Sequence, residues 1–164
     1  MASEPKYRPP IMIVTPVAPA TVIAPCELPY PRLIAGVEPK HNVREVNINL
    51  SRSYCQSEFL KHWFHKFEFV LLMDADVVIK PGIVDKLLSA WKQGLVPCAN
   101  TKSGAFNQAN PYHGPITSCA LIHRADYEKM DYLKNLCECQ CIKLGRKFKT
   151  FYVDDCRGYE VKYK

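Results

Sequence analysis

Apolar residues collect in short blocks along the chain, separated by prolines, glycines and charged turns. The longest unbroken block, Phe69–Met73, is preceded by Phe67 and Glu68 and stops at Asp74. Such a run reads as a central strand buried on both faces. Ile11–Val14, flanked by prolines, predicts another buried strand, as do Leu95–Cys98, Ile116–Ile122 and Phe148–Val153. Val43, Val46, Ile48 and Leu50 predict one more strand over 43–50. Helical spacing begins after Ser51, a candidate N-cap, with Tyr54, Cys55, Phe59, Trp63 and Phe64. Pro81 suits the first turn of a second helix, with Ile83, Val84, Leu87, Leu88 and Trp91 on one face and Gly94 as its stop. Residues 125–144 predict a third, ended by Gly145. Prolines 16, 19, 25, 29, 31 and 39 leave room only for short turns or extended chain between them. Thr101–Pro115 is a polar loop.

Strands and helices therefore alternate. The pattern predicts a three-layer α/β/α sandwich around a mostly parallel sheet, with its ligand site outside the carboxyl ends of the strands. The 164 residues suffice for one core, giving a tail over 1–10 and a single domain over 11–164.

Hydrophobic residues are 48% of the chain and charged residues 23%, which excludes disordered and fibrous classes. No apolar run is long enough to cross a bilayer, and no export leader is visible, so a cytoplasmic protein is expected. The formal charge of +6 leaves peripheral contact with an anionic membrane open. No nucleic-acid module is recognisable. There are eight cysteines. Cys137, Cys139 and Cys141 alternate, and on a helix that spacing turns successive thiols roughly 200° apart, which does not suit one zinc ion. Buried free thiols are the expectation, with intracellular disulfides the alternative.

Asp74 and Asp76 follow the central strand. Residues two apart on a strand share a side, so both carboxylates can face one hard cation, Mn²⁺ or Mg²⁺, that shares its remaining ligands with substrate phosphates. Arg52, at the start of the predicted helix, suits phosphate oxygens through its planar fork. In the polar loop, Tyr112 can stack on a sugar, and His113 can line an acceptor or reach the metal.

The stretch Phe67-Glu-Phe-Val-Leu-Leu-Met-Asp-Ala-Asp-Val-Val-Ile-Lys-Pro-Gly resembles the donor-binding signature of family 2 glycosyltransferases of the GT-A fold. In that family a strand ends in Asp-x-Asp before a proline-started helix. Ser51-Arg52-Ser53 resembles the family's Ala-Arg-Asn segment. Ile11-Met-Ile-Val-Thr-Pro-Val resembles its opening strand, which implies Thr15 and Pro16 near the nucleotide. His123-Arg-Ala-Asp-Tyr127 resembles its later strand-to-helix junction. Val153-Asp154-Asp155 resembles its acceptor-side Glu-Asp motif, which implies a general base at Asp155 with Asp154 beside it. The resemblance implies Asp74 at the ribose or metal and Asp76 at the metal. The family's acidic grip on the base has only Glu38 or Glu45 to stand in for it.

The implied activity is metal-dependent, inverting transfer of a sugar from a nucleoside-diphosphate donor, UDP-sugars first, to a glycan, protein or lipid acceptor. The alternatives are a non-catalytic nucleotide-sugar binder and a cysteine-rich zinc interaction module.

Overall fold

The computed structural model describes residues 9–18, 21–101 and 115–161. Tyr112 and His113 lie outside them. In chain order the elements are β1 (Ile11–Pro16), β2 (Arg32–Ala35), α1 (Arg44–His62), β3 (Phe69–Met73), β4 (Val77–Val78), α2 (Pro81–Ala90), β5 (Leu95–Asn100), β6 (Cys119–His123), α3 (Arg124–Glu128), α4 (Gln140–Lys147), β7 (Lys149–Arg157) and β8 (Tyr159–Glu160).

The six-stranded sheet has the order β2-β1-β3-β6-β5-β7, and β4 and β8 form a separate pair. β1 runs parallel to β2 and β3, β6 is antiparallel to both β3 and β5, and β7 is parallel to β5. Within this sheet only β6 is reversed, so the sheet is mostly parallel as expected. The strand period of two then builds two cores. Ile11, Ile13, Phe69, Leu71 and Met73 face α2 through Ile83, Val84 and Leu87. Met12, Val14, Val70 and Leu72 face α1, α3 and α4 through Phe59, Tyr127 and Leu144. Each fully buried Leu, Ile or Phe contributes about 1.5–3 kcal/mol of transfer free energy. Burial on both faces explains why β3 is apolar throughout. The result is a three-layer α/β/α sandwich.

Two expected elements are corrected. Residues 43–50 are not a strand: α1 begins at Arg44, and Ser51 lies inside it and is no N-cap. The inward face of α1 carries Val46, Asn49, Ser51, Cys55, Gln56 and Phe59. Asn49, Ser51 and Gln56 are buried polar groups with hydrogen bonds, so the helical period is hidden from a reading of apolar positions alone. Buried polar side chains persist when paired in this way.

The helix expected over 125–144 is two short helices with turns between. The Gln56 amide donates to the carbonyls of Tyr127 and Met130 at 2.8 and 2.7 Å, satisfying the chain where α3 ends. Asp131 Oδ1 then accepts from the backbone of Leu133 and Lys134, an Asx-type turn, and Asn135 takes a φ of 54°. Gly145 sits within α4, which ends at Lys147. Gly94 does not cap α2 either; Trp91 does, and Gly94 supplies a φ of 82° in the turn before β5.

Candidate functional site

The parallel strands β1 and β3 both end at one edge of the sheet, and a cleft of about 840 Å³ opens there. Its wall includes Pro16 after β1, Arg44, Glu45, Ile48 and Arg52 from α1, Asp74 and Asp76 after β3, and Glu160 from β8. Thr21 and Val22, from the proline-rich segment, complete one side.

The acidic motif reaches the cleft by a route other than strand alternation. β3 ends at Met73, and Asp74 to Val77 form a tight turn closed by Val77 N–H donating to Asp74 O at 3.2 Å. Three further backbone bonds hold that turn. Asp74 N–H donates to Ser118 O, Ala24 N–H to Ala75 O, and Val161 N–H to Asp76 O, at 2.9, 2.8 and 2.7 Å. Ala75 is buried, and both carboxylates are half-buried in the cleft wall.

Arg52 is in the interior of α1, not at its start. Its Nη1 donates to Glu45 Oε1 at 2.8 Å and to Asn49 Oδ1 at 3.0 Å, and its side chain is 12% exposed. Nε is buried with no hydrogen-bond partner among the described residues. The salt bridge therefore fixes the guanidinium in the wall. Beneath it lies a cavity of about 10 Å³, bordered by Arg52, Asp74, Tyr127, Tyr132 and Gln140; that is room for about one water. Burial pushes the phenols of Tyr127 and Tyr132 well up, so both are neutral donors. Tyr132 OH donates to Gln140 Oε1 at 2.8 Å.

Other predicted residues are placed differently. Thr15 is fully buried, and its Oγ1 accepts from Arg32 Nε at 2.9 Å; it is absent from the cleft wall. Glu38 is exposed and also outside the wall, whereas Glu45 lines it. Asp154 and Asp155 do not end the last strand. From Cys98 to Asn100 of β5, β7 advances from Tyr152 to Arg157, so extra residues loop out as a bulge. Both aspartates are exposed on that bulge, outside the cleft wall, and Asp155 has a φ of 61°. His123 caps α3 by accepting from Ala125 N–H through Nδ1 at 3.1 Å, a strand-to-helix turn as expected.

No family model matches the sequence, and no curated protein does. Solved structures do. The chain is similar to A197 from STIV, with 13% identity, a TM-score of 0.58, and coverage of 94% of this chain and 86% of that one. It is also similar to a glycosyltransferase involved in the glycosylation of the major capsid of PBCV-1. There the identity is 15% and the TM-score 0.51, with 89% of this chain and 82% of that one covered. The fold is glycosyltransferase-like.

Within that fold, several wall residues escaped the sequence. Arg44 and Ile48 precede the expected Arg52 at steps of four, which marks one helix face once α1 is known to begin at Arg44. Glu160 had no such signal. It reaches the cleft because β8 pairs with β4 directly after the acidic turn, Val77 opposite Glu160. Gly158 makes this pairing possible, since a Cβ there would collide with the Ile79 side chain and lie 2.8 Å from Val78 O. Among the described residues no group of three or more His, Cys, Asp and Glu is arranged to hold a metal, and none of their helices is long and apolar enough to cross a membrane.

Proposed function

We propose that this protein is a glycosyltransferase that takes a sugar from a nucleoside diphosphate, UDP first, and passes it to a glycan, protein or lipid acceptor. One observation carries the reading: Asp74, Asp76 and Arg52 converge in the wall of a single cleft at the carboxyl ends of parallel strands. The glycosyltransferase-like fold supports it.

An all-oxygen, doubly acidic donor set on a backbone pinned by hydrogen bonds fits a hard divalent cation, Mn²⁺ or Mg²⁺. Asp74 and Asp76 would hold it, with phosphate and water completing its shell. When bound, such an ion neutralises the departing nucleoside diphosphate as a Lewis acid. Arg52, held through Nη1 by Glu45 and Asn49, would offer Nη2 to a phosphate oxygen with little rotamer entropy left to lose. Pro16 and Glu45 flank the nucleotide. Asp155 takes the proton of the acceptor hydroxyl, and Asp154 stands beside it. Tyr112 and His113 contribute to the acceptor side.

The position of Asp154 and Asp155 on an exposed bulge outside the cleft wall favours a second reading, a nucleotide-sugar binder without turnover. A thermal-shift panel of UDP, GDP, dTDP and CMP with Mn²⁺ selects the nucleotide. Calorimetry of the chosen nucleotide then tests the site. Asp76→Asn, which removes a ligand charge and no core contact, should abolish Mn²⁺-dependent binding while preserving the fold. Equal affinity in the variant and the parent would refute the metal site. Slow hydrolysis of the nucleotide-sugar separates the transferase from the binder.

A further inference from the structure

Cys139 and Cys141 are two residues apart, yet their sulfurs approach to 3.0 Å. Opposed thiols were expected from helical spacing, but Cys139 is the N-cap of α4, with φ −73° and ψ 162°, and only Cys141 is helical. The extended backbone at Cys139 swings its side chain over the first turn. The separation exceeds the roughly 2.05 Å of an S–S bond by about 1 Å.

We propose that Cys139 and Cys141 form a thiol–disulfide exchange site, a dithiol that closes to an intramolecular disulfide by reaction with an external disulfide. The two sulfurs are unequal. The Cys141 thiol beside it holds Cys139 well below the usual thiol range, against the opposing effect of burial, and the N–H of Ile142 adds to the lowering. Cys141 is driven up by the same interaction and by burial. Cys139 sits at the N-cap of α4, where the helix N-terminus favours a thiolate, so it is the attacking sulfur and Cys141 the resolving one. Cys139 attacks one sulfur of the external disulfide RSSR, whose S–S bond breaks to release RS⁻. Cys141 then gives up its proton and attacks the Cys139 sulfur, displacing the second RS⁻. Two protein thiols are oxidised, one RSSR is reduced, and the two protons leave on two RSH.

The position gives the exchange a structural neighbour. The Asn49 amide donates to the carbonyls of Leu136 and Glu138, both at 2.7 Å, in the segment that leads into the dithiol. Asn49 Oδ1 in turn accepts from Arg52 in the cleft wall. The other thiols do not compete. Burial pushes Cys55 and Cys98 up to about 12 and raises Cys119 and Cys156, leaving only Cys26 and Cys137 as exposed bystanders.

The test treats the folded wild-type chain with 4,4′-dithiodipyridine, blocks remaining thiols with iodoacetamide and digests with trypsin. Cleavage after Lys134 and Lys143 isolates Asn135–Lys143, which holds Cys137, Cys139 and Cys141. The expected peptide carries a Cys139–Cys141 bridge, with Cys137 bearing the pyridyl adduct, and dithiothreitol restores all three thiols. In a Cys26→Ser/Cys137→Ser background, two thiopyridones should be released with no adduct retained. Cys141→Ser in that background should release one and keep one adduct. Adducts retained on both Cys139 and Cys141, a bridge to Cys137 instead, or no reaction at either sulfur would each overturn the proposal.

Discussion

Asn49→Ala is the most informative single perturbation, because Asn49 joins three parts of the molecule while remaining completely buried. Its amide donates two 2.7 Å bonds to Leu136 and Glu138, and its carbonyl accepts the 3.0 Å bond from Arg52. Two neutral bonds at ~0.5–1.5 kcal/mol each and one to a guanidinium at ~1.5–3 kcal/mol bracket a loss of ~2.5–6 kcal/mol. Two features reduce that range. Leu136 and Glu138 are only half-buried, so water reaches their carbonyls, and Arg52 keeps Glu45. We expect ~2–4 kcal/mol, or a fall in Tm of roughly 4–16 °C for a chain of this size. Urea unfolding followed by the fluorescence of Trp63 and Trp91 measures it, with an unchanged m-value required for the comparison. Asn49→Asp separates the two halves of the role. It keeps an acceptor for Arg52 but sets a carboxylate against two carbonyls, so it should be no more stable than the alanine variant. A loss below ~1 kcal/mol for Asn49→Ala would show that α1 and the 136–138 segment are joined by something else, and the account of how Arg52 is positioned would fall with it.

Arg52→Ala should weaken nucleotide binding by ~1.5–3 kcal/mol, the range for a charge-assisted bond, with Lys only a partial rescue. Normal binding by the alanine variant would leave Arg52 a partner of Glu45 and nothing more. Asp155→Asn should lower turnover by about 10²–10⁴-fold with donor affinity little changed. Asparagine tolerates the φ of 61° at that position, so a loss cannot be blamed on the backbone. Asp154→Asn, exposed on the bulge, should stay within ~0.5 kcal/mol in stability. Full turnover in Asp155→Asn would remove it as the base and direct attention to Glu160. Stability should also fall in alkali. Burial raises the Cys55 and Cys98 thiols from 9 to about 12, so the folded chain holds these protons more tightly than the unfolded one. Their contribution is complete below pH 9 and is lost as the pH rises towards 12; a urea midpoint independent of pH across that window would contradict their burial.

The inner strands of the sheet were legible in the sequence because they are buried on both faces, whereas the partly exposed edge strand β2 was not. Ile11–Val14 and Phe69–Met73 had to be apolar at every position, and continuous apolar runs between prolines and aspartates have few other readings. The same logic placed Asp74 and Asp76 at the sheet edge, since a charged pair ends such a run where it meets solvent. What apolar patterning conceals is any element whose buried face is polar. α1 buries Asn49, Ser51 and Gln56 against backbone groups from distant segments, so its first two turns resembled a strand. The break between α3 and α4 depends on Gln56, some seventy residues away in sequence. Tertiary structure alone brought Arg44 and Glu160 into the cleft, moved Asp154 and Asp155 onto a bulge, and closed Cys139 on Cys141. Each of these depends on a strand register, a helix boundary or a single backbone angle, which are set by long-range hydrogen bonds and close packing. A linear pattern of apolar and polar residues carries the strand interiors but not those pairings.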